Sequence, residues 1–388
     1  MKLFFTTLSL FRSYLHTTFF ITALLITTTA LPSMAGGKVT IALSGGASGP
    51  LADSLPALTL SATSTIDFVE LNLVATKDYE LILHPNILLD STTNVAEVFP
   101  DRGRDNGHFY AIDFTLAEIR QLRKTADTTL SIPEPSLGIP TFDETLSLLR
   151  ALEADLQKKT GIAPHIRQPA FHRAEGKDIS ELTLRTLHTY GYTSTGESVL
   201  IQSFDGDELK RIKNELMPAI GVNLPILQLI DKPADLADRD TTLPAPYDHS
   251  WMLTRLGLRV LSSYADAVAL HTSYFTENTD SLVTIEFIPN GRALGLEMYV
   301  FPLVETQIQD KIPSSEYSAV LDYYYTTLGM DGVITASPRA TSRYFQQKEN
   351  ALLEQQKIDN PLLNSNFQPL TLRDNQNSSL ILHASGTP

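Results

Sequence analysis

Short apolar runs recur along this chain, separated by longer segments in which apolar positions fall three and four residues apart. The short runs predict strands at Val39–Leu43, Phe68–Val74, Ile162–Arg167, Val199–Phe204, Pro225–Ile230, Ala267–His271, Leu296–Phe301 and Gly332–Thr335. The periodic segments between them predict helices at Thr141–Lys159, Ile179–Tyr190, Asp207–Leu216, Leu253–Tyr264 and Glu316–Leu328. Eight strands alternating with helices over about 300 residues predict an α/β fold, a parallel sheet closed into a (β/α)8 TIM barrel.

One connection is too long for a simple crossover. Between Tyr79 and Pro140 the chain carries an extra strand, Glu80–His84, and then a stretch rich in turn residues. This insertion, about 79–140, is expected at the mouth of the barrel, where such excursions commonly shape a pocket. The barrel itself is expected over residues 36–345. Residues 346–388 are rich in Gln, Asn, Ser and Pro and predict a frayed helix followed by disorder.

The chain starts differently. Lys2 and Arg12 flank little else that is charged, the run Thr17–Leu31 is apolar and Thr-rich, and Pro32-Ser33-Met34-Ala35 places small residues where a signal peptidase reads them. Residues 1–35 are therefore expected to be a removed export signal, its apolar run being shorter than the roughly 20 residues that span a bilayer. The expected location is periplasmic or secreted, with no integral membrane span in the mature chain.

The charge balance narrows the partners. Loss of the leader would take the 30 basic residues to 28 against 44 acidic ones. So strong an acidic surplus argues against nucleic acid, whose phosphates are held by Lys and Arg clusters. With no cysteine among the 388 residues, disulfides, thiolate metal sites and a thiol nucleophile are excluded.

In a barrel of this kind the C-terminal ends of the strands point into the active site, and residues two apart share a face. That places Glu70 with Asn72, His165 with Arg167, Gln202, His271, and Glu297 with Tyr299 and Phe301 inward, while Ser44 and Asp53 follow the first strand and His84 ends the extra strand. Carboxylates, amides and imidazoles gathered in this way suit a hard divalent cation or a polar ligand. Gly45-Gly46-Ala47-Ser48-Gly49 lacks a following Gly-Lys-Ser/Thr and reads as a turn. Ser44 has no Gly-x-Ser-x-Gly context for a serine nucleophile. Asp178 reads as a helix cap, and Trp251 and Tyr323-Tyr324-Tyr325 as packing residues.

IALSGGASGPLADSLPA at Ile41–Ala57 and FVELNLVATKDYELILHP at Phe68–Pro85 resemble the opening of the periplasmic glycerophosphodiester phosphodiesterase family. TTNVAEVFPDRGRDNGHFYAIDFTLAEI, HRAEGKDIS, IQSFDGDELKRIKNELMP and LQLI extend the resemblance over nearly the whole mature chain. It implies a TIM barrel and a metal-dependent hydrolase that splits a glycerophosphodiester into glycerol 3-phosphate and an alcohol. In such an enzyme two imidazoles act as acid and base, an Arg and a Lys hold the phosphate, and carboxylates hold calcium or magnesium.

Position by position, the implied machinery is altered. The first catalytic His of the family falls on Ser44 and its neighbouring Arg on Gly45, and neither replacement titrates near neutrality or carries charge. The Glu of the family's first turn falls on Asp53. Of the metal-binding Glu-x-Asp, the Glu is kept as Glu70 and the Asp has become Asn72, while the third carboxylate is His165 in Pro164-His165-Ile166-Arg167. Arg167 stands where the family has Lys and keeps its charge. The second catalytic His is retained as His84, followed by Pro85 in place of Asp. Further on, Phe301-Pro302-Leu303-Val304-Glu305 replaces a polar barrel-mouth motif.

Two readings follow. In one, the barrel is a non-catalytic or impaired member whose mouth, lined by Tyr299, Phe301, Leu303 and the Ala47–Pro50 turn, binds a small glycerophosphodiester-like ligand or an unknown protein partner, with no metal required. In the other, it is an active phosphodiesterase with a rebuilt site, His84 serving as acid and base and Glu70, Asp53, His165 and His271 holding a zinc-type ion, which imidazole favours over calcium or magnesium.

Overall fold

The computed structural model describes residues 38–47, 51–125, 137–232, 244, 246–275, 283–304 and 317–359. The expected export signal and the polar segment beyond residue 359 lie outside them.

Nine strands form one sheet: β1 (Val39–Ala42), β2 (Phe68–Ala75), β3 (Leu81–Leu83), β4 (Gly161–Ile166), β5 (Ile201–Ser203), β6 (Ile226–Ile230), β7 (Ala267–His271), β8 (Glu297–Leu303) and β9 (Gly332–Thr335). Eight of them run parallel around a ring, and β1 closes it by pairing with β2 at Ile41 and Phe68 and with β9 from Val39 and Gly332 onward. The expected eight-stranded TIM barrel is therefore the observed fold. β3 lies outside the ring, antiparallel to the end of β2, with Leu73 opposite Leu83.

Parallel strands covered by helices outside and side chains inside are buried on both faces, which is why these runs read as continuously apolar. Ile41, Phe68, Ala163, Leu227, Ala267, Tyr299 and Ile334 fill the barrel interior. Leu71, Leu73, Val268, Val300 and Val333 face outward into the shell of helices. Local chemistry sets the helix starts. Thr141 accepts from the Glu144 backbone N–H while the Glu144 carboxylate accepts from the Thr141 N–H, a reciprocal cap for the helix Phe142–Leu156. Asp178 caps the helix Ile179–Thr189, as its sequence context predicts.

Some boundaries differ from expectation. Strand β5 is shorter than Val199–Phe204, with Val199 making only an isolated bridge to Ile162. The segment expected to be one helix at Asp207–Leu216 is α-helical over Gly206–Arg211, widens to a π-turn at Ile212–Leu216, and resumes at Met217–Ile220. Pro218 has no N–H to return to the preceding turn, and the wider turn lies where that bond is missing. Tyr323-Tyr324-Tyr325 sit in a similar π-turn, and the last helix runs Pro338–Asp359, well beyond residue 346.

Within the 79–140 insertion, Ile87, Leu89, Val95, Phe109, Phe114 and Ile119 make a second small core over Val74 and Ile82. Lys124, near the end of its described part, reaches back to the backbone carbonyls of Ala52 and Asp53 and so ties the insertion to the loop after β1.

Gly332 allows β9 and β8 to meet. A Cβ there would lie 1.8 Å from Cε1 and 2.0 Å from Cδ1 of Tyr299, which is itself buried. The Gly332→Ala protein is expected to lose about 3 kcal/mol of stability by overpacking. In urea denaturation this should appear as a lower midpoint with an unchanged slope.

Candidate functional site

The turn after β1 is built from left-handed backbone. Ser44 has φ 48° and ψ 44°, Gly45 has φ 76°, and Asp53 has φ 51°. Such angles are costly for Ser and Asp and persist only where bonds hold them. Here the Ser44 N–H donates to Glu70 Oε2 at 2.8 Å, and the Asp53 N–H donates to the Ser44 carbonyl at 2.9 Å. The loop is thus folded back onto β2.

Register brings the next residues together. Asn72 of β2 pairs with His165 of β4, and His165 with Gln202 of β5, so their side chains stand side by side inside the barrel. Glu70 Oε1 accepts from Gln202 Nε2 at 2.9 Å and from His165 Nδ1 at 3.2 Å. Asn72 turns its amide nitrogen to Ser44 Oγ at 3.1 Å and to Asp53 at 3.1 and 3.3 Å. Arg167 Nη1 lies beside the His165 ring, 3.5 Å from Nδ1 and 3.4 Å from Nε2. The Arg167 guanidinium also faces the Phe204 ring at 5.8 Å. Among the described residues no carboxylate forms a salt bridge to Arg167.

His84 is placed differently. Its side chain is 0% exposed. Nδ1 lies 2.5 Å from the Asn86 carbonyl and so carries the proton, which leaves Nε2 to accept from the Thr92 hydroxyl at 2.7 Å. Both ring nitrogens are occupied by the insertion.

Burial dominates the electrostatics. It pushes His84 down to about 4, with the Lys124 and Arg167 charges adding to the effect. It pushes His165 down to about 4 as well, helped by Arg167. Burial works to raise Glu70, but the hydrogen bonds from His165 and Ser44 and the charge of Arg167 outweigh it and hold the carboxyl below its usual range. At neutral pH the His165–Glu70 contact is therefore a neutral imidazole donating to a carboxylate. Burial also lifts Asp53 to about 6 against the pull of Lys124, with Glu70 reinforcing the rise, and lowers Lys124 to about 8.

The family resemblance implies a divalent ion held by the positions of Glu70, Asn72, His165 and Asp53. The side chains do not fit one. The Glu70 carboxylate is already met by three donors, Asn72 offers N–H groups where an ion needs oxygen, and a guanidinium nitrogen lies within 3.5 Å of both nitrogens of His165. A zinc-type ion meets the same obstacle, since a cation already lies beside the imidazole that would have to bind it. His271, expected in that site, bonds Ser273 Oγ at 2.8 Å and packs edge-on against Phe301.

The inward placement of Glu70, Asn72, His165, Arg167 and Gln202 agrees with the two-residue periodicity. The apolar mouth does not. Tyr299 is 1% exposed with its hydroxyl on Glu297, Leu303 is 0% exposed in the outer shell, and Phe301 is 6% exposed, so these residues form core and not an open surface. Alternation along β8 hides this, because a strand end counted as mouth by sequence is still covered on both faces. Ser48, Gly49 and Pro50 lie outside the described residues. Gly45 is buried against Leu58 and contributes no side chain. Two functional residues escaped the sequence: Lys124, which lies 71 residues from Asp53, and Thr92, which seals His84. No spacing rule links either to its partner.

Comparison with known proteins gives a consistent result. The sequence profile of the glycerophosphoryl diester phosphodiesterase family matches residues 45–340. The chain is 33% identical over 296 residues to a glycerophosphodiester phosphodiesterase of Treponema pallidum, covering 70% of this chain and 82% of the relative. It is 31% identical over 319 residues to one from Haemophilus influenzae, covering 76% and 86%. Among solved structures, a putative glycerophosphoryl diester phosphodiesterase of Silicibacter pomeroyi superposes with a TM-score of 0.56 at 17% identity, over 82% of this chain and 97% of the other. An Oleispira antarctica phosphodiesterase, solved with sn-glycerol-3-phosphate, gives a TM-score of 0.50 at 15% identity, over 79% and 96%.

Proposed function

This chain belongs to the glycerophosphoryl diester phosphodiesterase family, and from that premise we propose that it is an exported member that binds a glycerophosphodiester-like anion beside Arg167 and has lost most of the family's hydrolytic rate. The family is generally metal-dependent, and hydrolysis of a phosphodiester takes a proton from the attacking oxygen and gives one to the leaving alcohol oxygen. One observation carries the reading. His84, the single imidazole kept from the family pair, is fully buried, deprotonated at neutral pH and bonded through both nitrogens.

Positioned acid or base action contributes about 10²- to 10⁴-fold each, and losses within one site overlap without simply adding. Ser44 cannot replace an imidazole in that role, and its hydroxyl is engaged by Asn72. Binding is favoured by Arg167, a guanidinium in no carboxylate salt bridge among the described residues, set against an aromatic ring. Export is supported by the pattern of residues 1–35 and is tested by sequencing the N-terminus of the chain recovered from cells, expected near residue 36.

The purified chain is expected to hydrolyse glycerophosphocholine about 10³-fold or more slowly than the Haemophilus influenzae relative with calcium, magnesium, zinc, manganese or nickel added. His84→Ala should leave the residual rate unchanged. Metal-requiring turnover at the relative's rate that disappears in His84→Ala would overturn the reading.

A further inference from the structure

Resting on the anion site proposed at Arg167, we infer that this site holds a phosphate-bearing ligand without a divalent cation, because Arg167 supplies the positive charge that a cation would otherwise bring to the buried carboxylates. The argument starts from Glu70. Its Oε2 takes the Ser44 N–H at 2.8 Å, and its Oε1 takes Gln202 Nε2 at 2.9 Å and His165 Nδ1 at 3.2 Å. An ion binding this carboxylate would have to displace donors that also fix the Ser44 turn.

Asn72 then completes the closure. Its N–H group donates to Asp53 and to Ser44 Oγ, so an amide donor occupies the face of the second carboxylate that an ion would need. Asp53 is further held through its backbone carbonyl, which accepts from Lys124 Nζ at 2.8 Å. His165 finishes the arrangement by donating to Glu70 through Nδ1 while Arg167 Nη1 lies beside its ring, 3.5 Å from Nδ1 and 3.4 Å from Nε2. Three substituted positions, Ser44, Asn72 and His165, thus act as one hydrogen-bonded unit.

Arg167 is the fixed charge of that unit. Its electrostatic partners are Glu70, Asp53 and Asp231, yet none of them forms a salt bridge with it. Five N–H groups in a planar fork suit two phosphate oxygens, and among the described residues the fork meets hydrogen-bonding atoms of His165 alone, through Nη1. A doubly charged ion at Glu70 would repel this guanidinium, whereas a phosphate would complement it.

Calorimetric titration of sn-glycerol 3-phosphate into chelator-stripped protein, and into the same protein with calcium, magnesium or zinc, tests the inference. The Kd is expected to stay within about twofold, and Arg167→Gln should weaken binding by about tenfold or more. Tightening by more than about tenfold with any ion overturns the inference while leaving the anion site standing. Absence of binding under every condition overturns the anion site, and the inference with it.

A second measurement reads the ion alone. Calcium should leave the Tm of the parent unmoved and raise that of Asn72→Asp/His165→Glu, which restores the two missing carboxylates. If that variant folds only with calcium, its recovery on calcium addition is the same supporting result. An equal calcium-induced rise in the parent overturns the inference.

Discussion

The Glu70→Gln protein is expected to be about 3 kcal/mol less stable than the parent, and Glu70→Ala about 5 kcal/mol less stable, although neither change touches a helix or a hydrophobic core cluster. The reason is the accounting of donors. Glu70 is 3% exposed and receives N–H groups from Ser44, His165 and Gln202. A glutamine has a single acceptor oxygen, so its own N–H group must face one of those donors. An alanine leaves all of them without a partner in a barrel interior that water does not reach, and it removes the nearest negative charge to Arg167. The Ser44 turn should loosen as well, because its left-handed φ is held in part by the bond to Glu70. Urea denaturation of the two variants, of Arg167→Met and of Glu70→Gln/Arg167→Met measures the effect. The double variant should be less destabilised than the sum of the singles by about 1–2 kcal/mol, since removing both charges leaves neither uncompensated. Strict additivity, or a Glu70→Gln protein as stable as the parent, would show that the carboxylate is not the centre of the unit.

What the sequence disclosed here depended on the range of the interaction. Runs such as VTIA at Val39–Ala42 and ILQLI at Ile226–Ile230 are apolar throughout because both faces of a barrel strand are covered, so strand number and order were legible. The two-residue period of strands placed Glu70 with Asn72 correctly, and register then set them beside His165. Orientation within the barrel was not legible. Nothing in the spacing says that Asn72 offers its nitrogen and not its oxygen, or that His165 turns Nδ1 to Glu70 with Arg167 beside its ring. Those directions are fixed by partners on other strands.

The insertion concealed most. Its length marked it as an excursion, but the reach of Lys124 to the loop after β1 and the closure of Thr92 over His84 are tertiary events within a segment lacking regular period. A retained His therefore looked available in sequence and is sealed in structure. The same burial governs how the protein responds to acid.

Lowering the pH from about 7 to about 4 is expected to remove roughly 7 kcal/mol of folding stability, much of the margin of an ordinary domain. His84, His165 and His172 are each pushed down to about 4 by burial, from an ordinary value of 6.5. A histidine with a depressed folded pKa is neutral in the native state, while the unfolded chain takes up a proton below 6.5. Stability contributed by the neutral form is thus fully present above 6.5 and is lost as pH falls from there toward 4, by about 3 kcal/mol per residue. Asp53 works in the opposite sense. Burial raises it from 3.8 to about 6, so the native state takes up its proton first and regains roughly 2 kcal/mol over the same window. Three losses against one gain give the net fall. His172 isolates one of them, because its ring bonds backbone groups, the Gln168 carbonyl and the Ala75 N–H, and no side chain of the Glu70 unit. Denaturation midpoints at about pH 7, 5.5 and 4.5 should drop steeply for the parent, less steeply for His172→Gln, and more steeply for Asp53→Asn, which removes the opposing group. Stability that stays level or rises between pH 6.5 and 4.5 would mean that the buried imidazoles are reached by protons in the folded state, and that His84 is open enough to exchange one with a ligand.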